Sequence, residues 1–236
     1  MDQNMNKTEI IQNTKTLLHQ NNEIHIYNQF INIYNQAITK SNTKHIPNKY
    51  ISTQGLHRKL YGYYKLIKHA KQHNKQIGLD FGCAMSTPSV IAKLLNMHIV
   101  GIDIDQYNLT TPSPEFNTNK TNIELPYLDL INNLKQQENL QIDIFNTNAY
   151  PWKYQDNTYE FIIASWALHK NMKPQKGLIE TTNNAQRINE LLRISKPNSI
   201  WYIAPHQHIT LLQQTKTYQQ KTKNINIYNL VELTPT

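Results

Sequence analysis

The residues best placed to do chemistry stand in one short run, Ile77-Gly78-Leu79-Asp80-Phe81-Gly82-Cys83-Ala84-Met85-Ser86-Thr87-Pro88. An apolar stretch ends in a carboxylate, and the small residues Gly82, Ala84 and Ser86 would let a ligand approach the backbone. The N–H groups of such a turn and of the helix behind it offer donors to a carboxylate or phosphate. Thr87 reads as a helix N-cap and Pro88 as the first helical position, where a missing N–H costs nothing. A second acidic pair, Asp103 and Asp105, ends the next apolar run, Ile99-Val100-Gly101-Ile102. A carboxylate about twenty residues after a glycine turn can accept hydrogen bonds from both hydroxyls of a ribose, and Asp103 has that place. Asp105 is expected to cap or to face solvent. The bland alternative is a tight strand-to-helix turn with no ligand, which any α/β protein can carry. Cys83 reads as a small packing residue rather than a nucleophile.

Positioning these residues requires strands that end together. From Gln76 onward, short apolar runs alternate with helical or polar stretches, as parallel strands with crossover helices do. Strands are expected at Gln76 to Phe81, His98 to Asp103, Gln141 to Phe145, Tyr159 to Ser165, Ser199 to Ala204 and Asn224 to Leu233. The segment Gln106 to Asn122, with Pro112 and Pro114, reads as a loop. Before Gln76 the periodicity is helical, with Ile10, Ile11, Leu17 and Leu18, then Ile26, Phe30, Ile33 and Tyr34. Ser52 and Thr53 are set to cap a helix running to Lys71, with a stripe of Leu56, Leu60, Tyr64 and Ile67. The expectation is a doubly wound, Rossmann-like, mostly parallel α/β core over residues 76–236, with a helical N-terminal extension or cap over 1–75.

This arrangement resembles the class I S-adenosylmethionine-dependent methyltransferases. In that family an acidic, glycine-rich turn ends the first strand, an acidic residue ends the second, and a polar residue after the third reads the adenine. Asp80 to Ser86, Asp103 and Asn148-Ala149 stand in those places. Pro151-Trp152 and Asp156 to Ser165 look like the stretch leading into the fourth strand. Trp166-Ala167-Leu168-His169 resembles the segment that follows in the small-metabolite, type 11-like branch, and Glu190 to Ser199 resembles the helix and turn before the fifth strand. The resemblance covers residues 76–205. It implies that S-adenosylmethionine is held by Asp80, Gly82, Cys83, Ala84, Ser86, Asp103, Ile104, Asn148, Ala149 and Ser165. Some positions depart from the pattern. Only Gly82 remains of the usual turn glycines, Asn148 replaces an aspartate, and Asn198 replaces a glycine. The tail after Pro205 is short for the family's last helix and antiparallel strand pair.

Given that cofactor, the protein has mainly to align an acceptor with an activated methyl, and alignment of this kind can contribute ~7 kcal/mol or more. A hydroxyl or ring-carbon acceptor would also need a base, and histidine titrates in the right range. His169, after the fourth strand, and His206, after the fifth, are the candidates. Tyr61, Tyr63 and Tyr64 on one helix, with Trp166, His169 and His208, are candidate acceptor contacts, although aromatic residues at helical spacing more often face a core. His206 and His208, two residues apart with no third ligand near, do not make a metal site.

Composition limits the alternatives. With 39% hydrophobic and 17% charged residues the chain is expected to fold. One cysteine excludes an internal disulfide. The sequence shows no charged-then-apolar leader and no membrane-length apolar run, so a cytoplasmic protein is expected. A formal charge of +8 invites a nucleic-acid reading, yet only three arginines, Arg58, Arg187 and Arg193, are present, and nucleic-acid surfaces favour arginine. A small-molecule acceptor is therefore preferred. RNA or protein as acceptor, with the lysine-rich helix of Lys59, Lys65, Lys68 and Lys71 as docking face, is the alternative, and a non-catalytic binding protein on the same fold is a third. A nicotinamide-linked dehydrogenase fits the acidic first-strand residue less well.

Overall fold

The computed structural model describes residues 7–41, 51–104, 128–145, 149–165, 180–204 and 225–229. Among the described residues three helices come first, α1 (Lys7–Gln20), α2 (Ile24–Lys40) and α3 (Thr53–Gln72). An alternating set follows: β1 (Ile77–Phe81), α4 (Thr87–Leu94), β2 (His98–Ile104), α5 (Leu128–Glu138), β3 (Ile142–Phe145), β4 (Tyr159–Ser165), α6 (Glu180–Ile194), β5 (Ser195–Ala204) and β6 (Asn226–Asn229). The strands form one sheet in the order β3-β2-β1-β4-β5-β6, and every pairing is parallel. No antiparallel strand occurs among the described residues. The order reverses between β1 and β4, which opens a crevice at their carboxyl ends, where ligands of doubly wound sheets bind.

Strand side chains alternate between two apolar layers, the period-two rule of a sheet covered on both faces. Phe161, Ile163, Ile200 and Tyr202 face a core built with α2, α3 and α4, whereas Ile162, Ala164, Trp201 and Ile203 face Leu191 and Ile194 of α6. Gly78 is small for a packing reason, since a Cβ there would come within 2.3 Å of the Phe161 ring. The helical extension shares the first core, with Phe30, Tyr34, Leu60 and Ile67 beside Met85, Ile91 and Phe161.

The sequence placed most boundaries within two residues. Two differ for local reasons, and the ends expected for the last strand, Asn224 and Leu233, lie outside the described residues. The cap of α4 is Ser86, in the left-handed region and without a side-chain cap bond, so Thr87 is already helical. β5 begins at Ser195, directly after α6, through Lys-Pro-Asn residues that read as a turn. Asn198 takes φ 61° there, and the register to β4 shifts between Tyr159 and Phe161. At α3 the expectation holds, as Ser52 accepts the Gly55 N–H at 3.2 Å and Leu56, Leu60, Tyr64 and Ile67 are buried.

Candidate functional site

Asp80 lies at the centre of the sheet, paired with Gly101 on β2 and Ile163 on β4. Its side chain is 3% exposed, and its Oδ2 atom is buried without a hydrogen-bond partner. An orphaned buried carboxylate oxygen is costly, so the position asks for an explanation beyond packing. Past Phe81 the chain turns on three left-handed residues, Gly82 (φ 75°), Ala84 (φ 42°) and Ser86 (φ 53°). Glycine takes this region freely, but for alanine and serine it costs roughly 1–2 kcal/mol each. Strain of this kind persists where surrounding contacts over-determine the backbone.

Those contacts are visible. The Gly82 and Cys83 N–H groups both donate to the Ile102 carbonyl, at 2.9 and 3.1 Å, and the Ser86 N–H donates to the Cys83 carbonyl at 2.6 Å. The Ala84 N–H donates to Asp103 Oδ2 at 2.7 Å. The turn after β1 and the carboxylate ending β2 are therefore one connected edge. The expected outward-facing donors are not found at these four amides, which are spent on fastening the turn. Cys83 packs under Gly101, where a Cβ would meet its Sγ at 3.1 Å. Burial, then the charges of Asp103 and Asp80, push its thiol pKa up, so it stays protonated.

The helical extension closes over this edge. From α2, the buried Tyr34 hydroxyl donates to the Met85 carbonyl at 2.7 Å and is hydrogen-bonded to Thr87 Oγ1 at 3.2 Å. From α3, Lys59 Nζ donates to Met85 Sδ at 3.2 Å. One helical turn on, the Tyr63 hydroxyl shares a hydrogen bond with Ser165 at the end of β4 and feels the Asp80 charge. Tyr63 thus bridges the crevice between β1 and β4.

Burial dominates the titration of these groups. It raises Asp80 from 3.8 to about 8, helped by the nearby Asp103 charge and opposed by Lys59. It lowers Lys59 from 10.5 to about 8, opposed by Asp80. Lys59 is half-buried as a whole residue, but its ammonium end is enclosed, and this end feels the desolvation. The Tyr63 hydroxyl is pushed up to about 12, again chiefly by burial.

The structure thus brings Asp80, Gly82, Cys83, Ala84, Ser86 and Asp103 into one cluster, with Ser165 across the crevice and bonded to Tyr63. Ile104 continues β2 beside Phe145, and Ala149 is an exposed residue in the segment after β3. Tyr64 does not join the cluster, because its hydroxyl bonds to Glu23, which also pairs with Lys68 at 2.6 Å. Tyr61 lies under the Lys65 ammonium, 5.6 Å from its ring centre. Asp105, Asn148, Trp166, His169, His206 and His208 lie outside the described residues. Sequence reasoning named Tyr63 with Tyr61 and Tyr64 and missed Lys59 and Tyr34 as parts of the cluster. The available signal was the four-residue step from Lys59 to Tyr63, which puts both on one face of α3.

A separate cavity of about 220 Å³ lies at the opposite edge of the sheet, near Lys93, His98, Glu138 and Gln141. Its lysine is already ion-paired with Glu138 at 2.9 Å. Among the described residues no group of three metal-binding side chains occurs, and no helix is long and apolar enough to cross a membrane.

No family profile and no curated protein matches the chain. Among solved structures it is similar to the PH0226 protein from Pyrococcus horikoshii, with 16% identity and a TM-score of 0.44 over 65% of this chain and 60% of that one. It is also similar to an S-adenosylmethionine-dependent methyltransferase from Clostridium acetobutylicum, at 12% identity and a TM-score of 0.37 over 74% and 55%. A third is P. horikoshii TYW2 in complex with MeSAdo, at 14% and 0.40 over 68% and 52%. The chain spans 60% or less of the length of these three proteins. At this level the likenesses carry no chemistry, and the functional argument rests on the site itself.

Proposed function

We propose that this chain is an S-adenosylmethionine-dependent methyltransferase acting on an O, N or C atom of a small-molecule acceptor. The observation that carries the proposal is the 2.7 Å bond from Ala84 N–H to Asp103, set beside the buried, unpartnered Oδ2 of Asp80. A carboxylate suited to ribose hydroxyls and a carboxyl suited to a cation share one edge with a turn of small residues. The cofactor fits these groups, since it carries a ribose, a sulfonium and an ammonium.

When bound, the sulfonium supplies an activated methyl group. The chain's own work is to hold, orient and exclude water. Asp103 would accept from the ribose, Gly82, Cys83, Ala84 and Ser86 would line the path of the amino-acid end, and Asp80 would face its positive charge. Ile104, Asn148 and Ala149 are the proposed adenine side. Ser165 and Tyr63 border the acceptor side, and His169 or His206 is proposed as base for an acceptor that must lose a proton.

The all-parallel order of the sheet is also that of dinucleotide-binding folds. A pyrophosphate, however, needs outward amides and tolerates carboxylates poorly, and here four turn amides point inward beside two aspartates. An RNA acceptor is disfavoured by the lysines of α3. Lys59 turns to Met85, Lys68 to Glu23, and Lys71 to the Leu95 carbonyl at 2.6 Å, so they do not form an outward phosphate-binding row.

Calorimetry and thermal unfolding with S-adenosylmethionine, S-adenosylhomocysteine and a nicotinamide dinucleotide test the proposal. Saturable binding of the first two, with a raised Tm, is expected by mass action. No heat and an unchanged Tm at millimolar cofactor would reject it. Formation of S-adenosylhomocysteine with a panel of small acceptors then separates a working enzyme from a binding protein on the same fold.

A further inference from the structure

The far end of α3 carries a pair of side chains that the carboxyl edge does not use. His69 and His73 stand four residues apart, and His73 caps the helix. Its backbone N–H still donates to the His69 carbonyl at 3.2 Å, so both side chains leave one helical surface. Their rings meet, with centres 4.3 Å apart and planes at 40°. Roughly 15 Å of helix separates them from Lys59 and the proposed cofactor site. Each ring is held through its Nδ1 atom. His69 Nδ1 is hydrogen-bonded to the Tyr202 hydroxyl of β5 at 2.8 Å, and His73 Nδ1 donates to the His69 carbonyl at 2.9 Å. Tyr228 of β6 makes a T-shaped contact with the His69 ring at 4.7 Å. An imidazole whose Nδ1–H donates to an oxygen carries its lone pair on Nε2, and such an oxygen partner is what fixes a metal-ligating histidine. For His73 the carbonyl compels this tautomer, and for His69 the hydroxyl permits it. His73 is exposed and His69 half-buried, so the pair opens to solvent.

We propose that His69 and His73 form a two-histidine site for an exchangeable transition-metal ion of the copper(II), nickel(II) or zinc(II) class, held through their two Nε2 atoms. Structural zinc takes four protein ligands and catalytic zinc three, and no group of three metal-binding side chains stands here among the described residues. Water therefore fills the remaining positions, and the ion exchanges. Imidazole favours copper, nickel and zinc over calcium and magnesium, and copper(II) binds most tightly in the usual order. Binding keeps the bond to Tyr202, because Nδ1–H donates while Nε2 ligates. The ion clips the last turn of α3 and, through Tyr202, ties the helical extension to β5. The site stands apart from the cofactor reading and does not depend on it.

The test titrates the full chain, without an affinity tag, with copper(II), nickel(II) and zinc(II), and with magnesium(II) as control. Calorimetry should show a site that His73→Ala weakens at least about tenfold, whereas His25→Ala, which removes another exposed histidine of the extension, changes it less than about twofold. Tm should rise with metal in the wild type and hardly at all in His73→Ala. His73 is exposed, so its variant should fold, and its Tm without metal checks that. Paramagnetic resonance of the first copper(II) equivalent should report two imidazole nitrogens in the wild type and one in His73→Ala, a reading that needs no change in stability. Unchanged affinity in His73→Ala, or a single imidazole in the wild type, would overturn the proposal. So would affinity that falls only when histidines outside the pair are replaced, which would mean an adventitious ion only, and so would no binding at millimolar zinc(II).

Discussion

Among the described residues two clusters of charged side chains are built on opposite terms, one part-exposed and one buried. At the end of α6, Arg193 spends every donor. Its Nε and Nη2 bond to Glu190 at 3.1 and 2.7 Å, Nη1 bonds to Asp156 at 2.5 Å and to the Tyr154 carbonyl at 2.8 Å, and Nη2 also reaches the Trp152 carbonyl at 3.0 Å. Glu190 in turn accepts the Trp152 N–H at 2.8 Å. At the carboxyl edge, Asp80 Oδ2 is buried with no hydrogen-bond partner. A saturated network fixes structure, whereas an unsaturated one is tolerated where a ligand completes it. The comparison separates the clamp that holds residues 152–156 to α6 from the site proposed for the cofactor.

The sharpest way to break the comparison is to remove the clamp. Arg193→Met leaves Glu190 with the Trp152 N–H alone and removes the arginine donors from two carbonyls, and the expected loss is about 3 kcal/mol, or roughly 6–12 °C in Tm for a chain of this size. Cofactor affinity of the folded fraction should hardly change. A small Tm shift would show that the clamp is ornamental.

Asp80→Asn should do the reverse, weakening S-adenosylmethionine about tenfold or more without the loss of stability expected of Arg193→Met. Its stability difference from the wild type also depends on pH. Asp80 titrates near 3.8 when unfolded and at about 8 when folded. Between those values the folded chain keeps a proton that the unfolded chain has lost, so wild-type stability falls as pH rises through that window. Asp80→Asn lacks this term. Denaturation midpoints of the two proteins, followed from pH 5 to pH 8, should therefore diverge in favour of the variant, and parallel curves would contradict the burial of Asp80.

Asp103→Ala should have a smaller effect on stability, about 1–2 kcal/mol, because it orphans the Ala84 N–H in a strained turn. It should also weaken both S-adenosylmethionine and methylthioadenosine, since its proposed partner is the ribose they share. Loss of stability with unchanged nucleoside affinity would leave Asp103 a turn fastener only.

Much of this was legible in the sequence. The short apolar run within Tyr159 to Ser165 placed β4 to the residue, and the spacing from Gly82 to Asp103 put both at one edge. The clamp also left a trace, since Asp156 and Glu190 to Arg193 lie in stretches that carry the family resemblance. Lys59 was not legible as a site residue. Periodicity reports which face of α3 is apolar, but the flanking residues acquire a role only when the helix docks on a turn more than twenty positions away. For the same reason the lysines of α3 read as a basic surface, although Lys68 and Lys71 are spent on Glu23 and Leu95. The early start of β5 was hidden by Pro197 and Asn198, which oppose a regular strand and are accommodated by a register shift.

Amide hydrogen exchange with and without S-adenosylmethionine tests the central contrast most directly, because it reads both clusters in one experiment. The account predicts slowed exchange in peptides covering residues 56–64, 78–87 and 99–104, with residues 187–195 unchanged. Protection confined to α6 and the clamp, or no protection at the carboxyl edge at saturating cofactor, would contradict it.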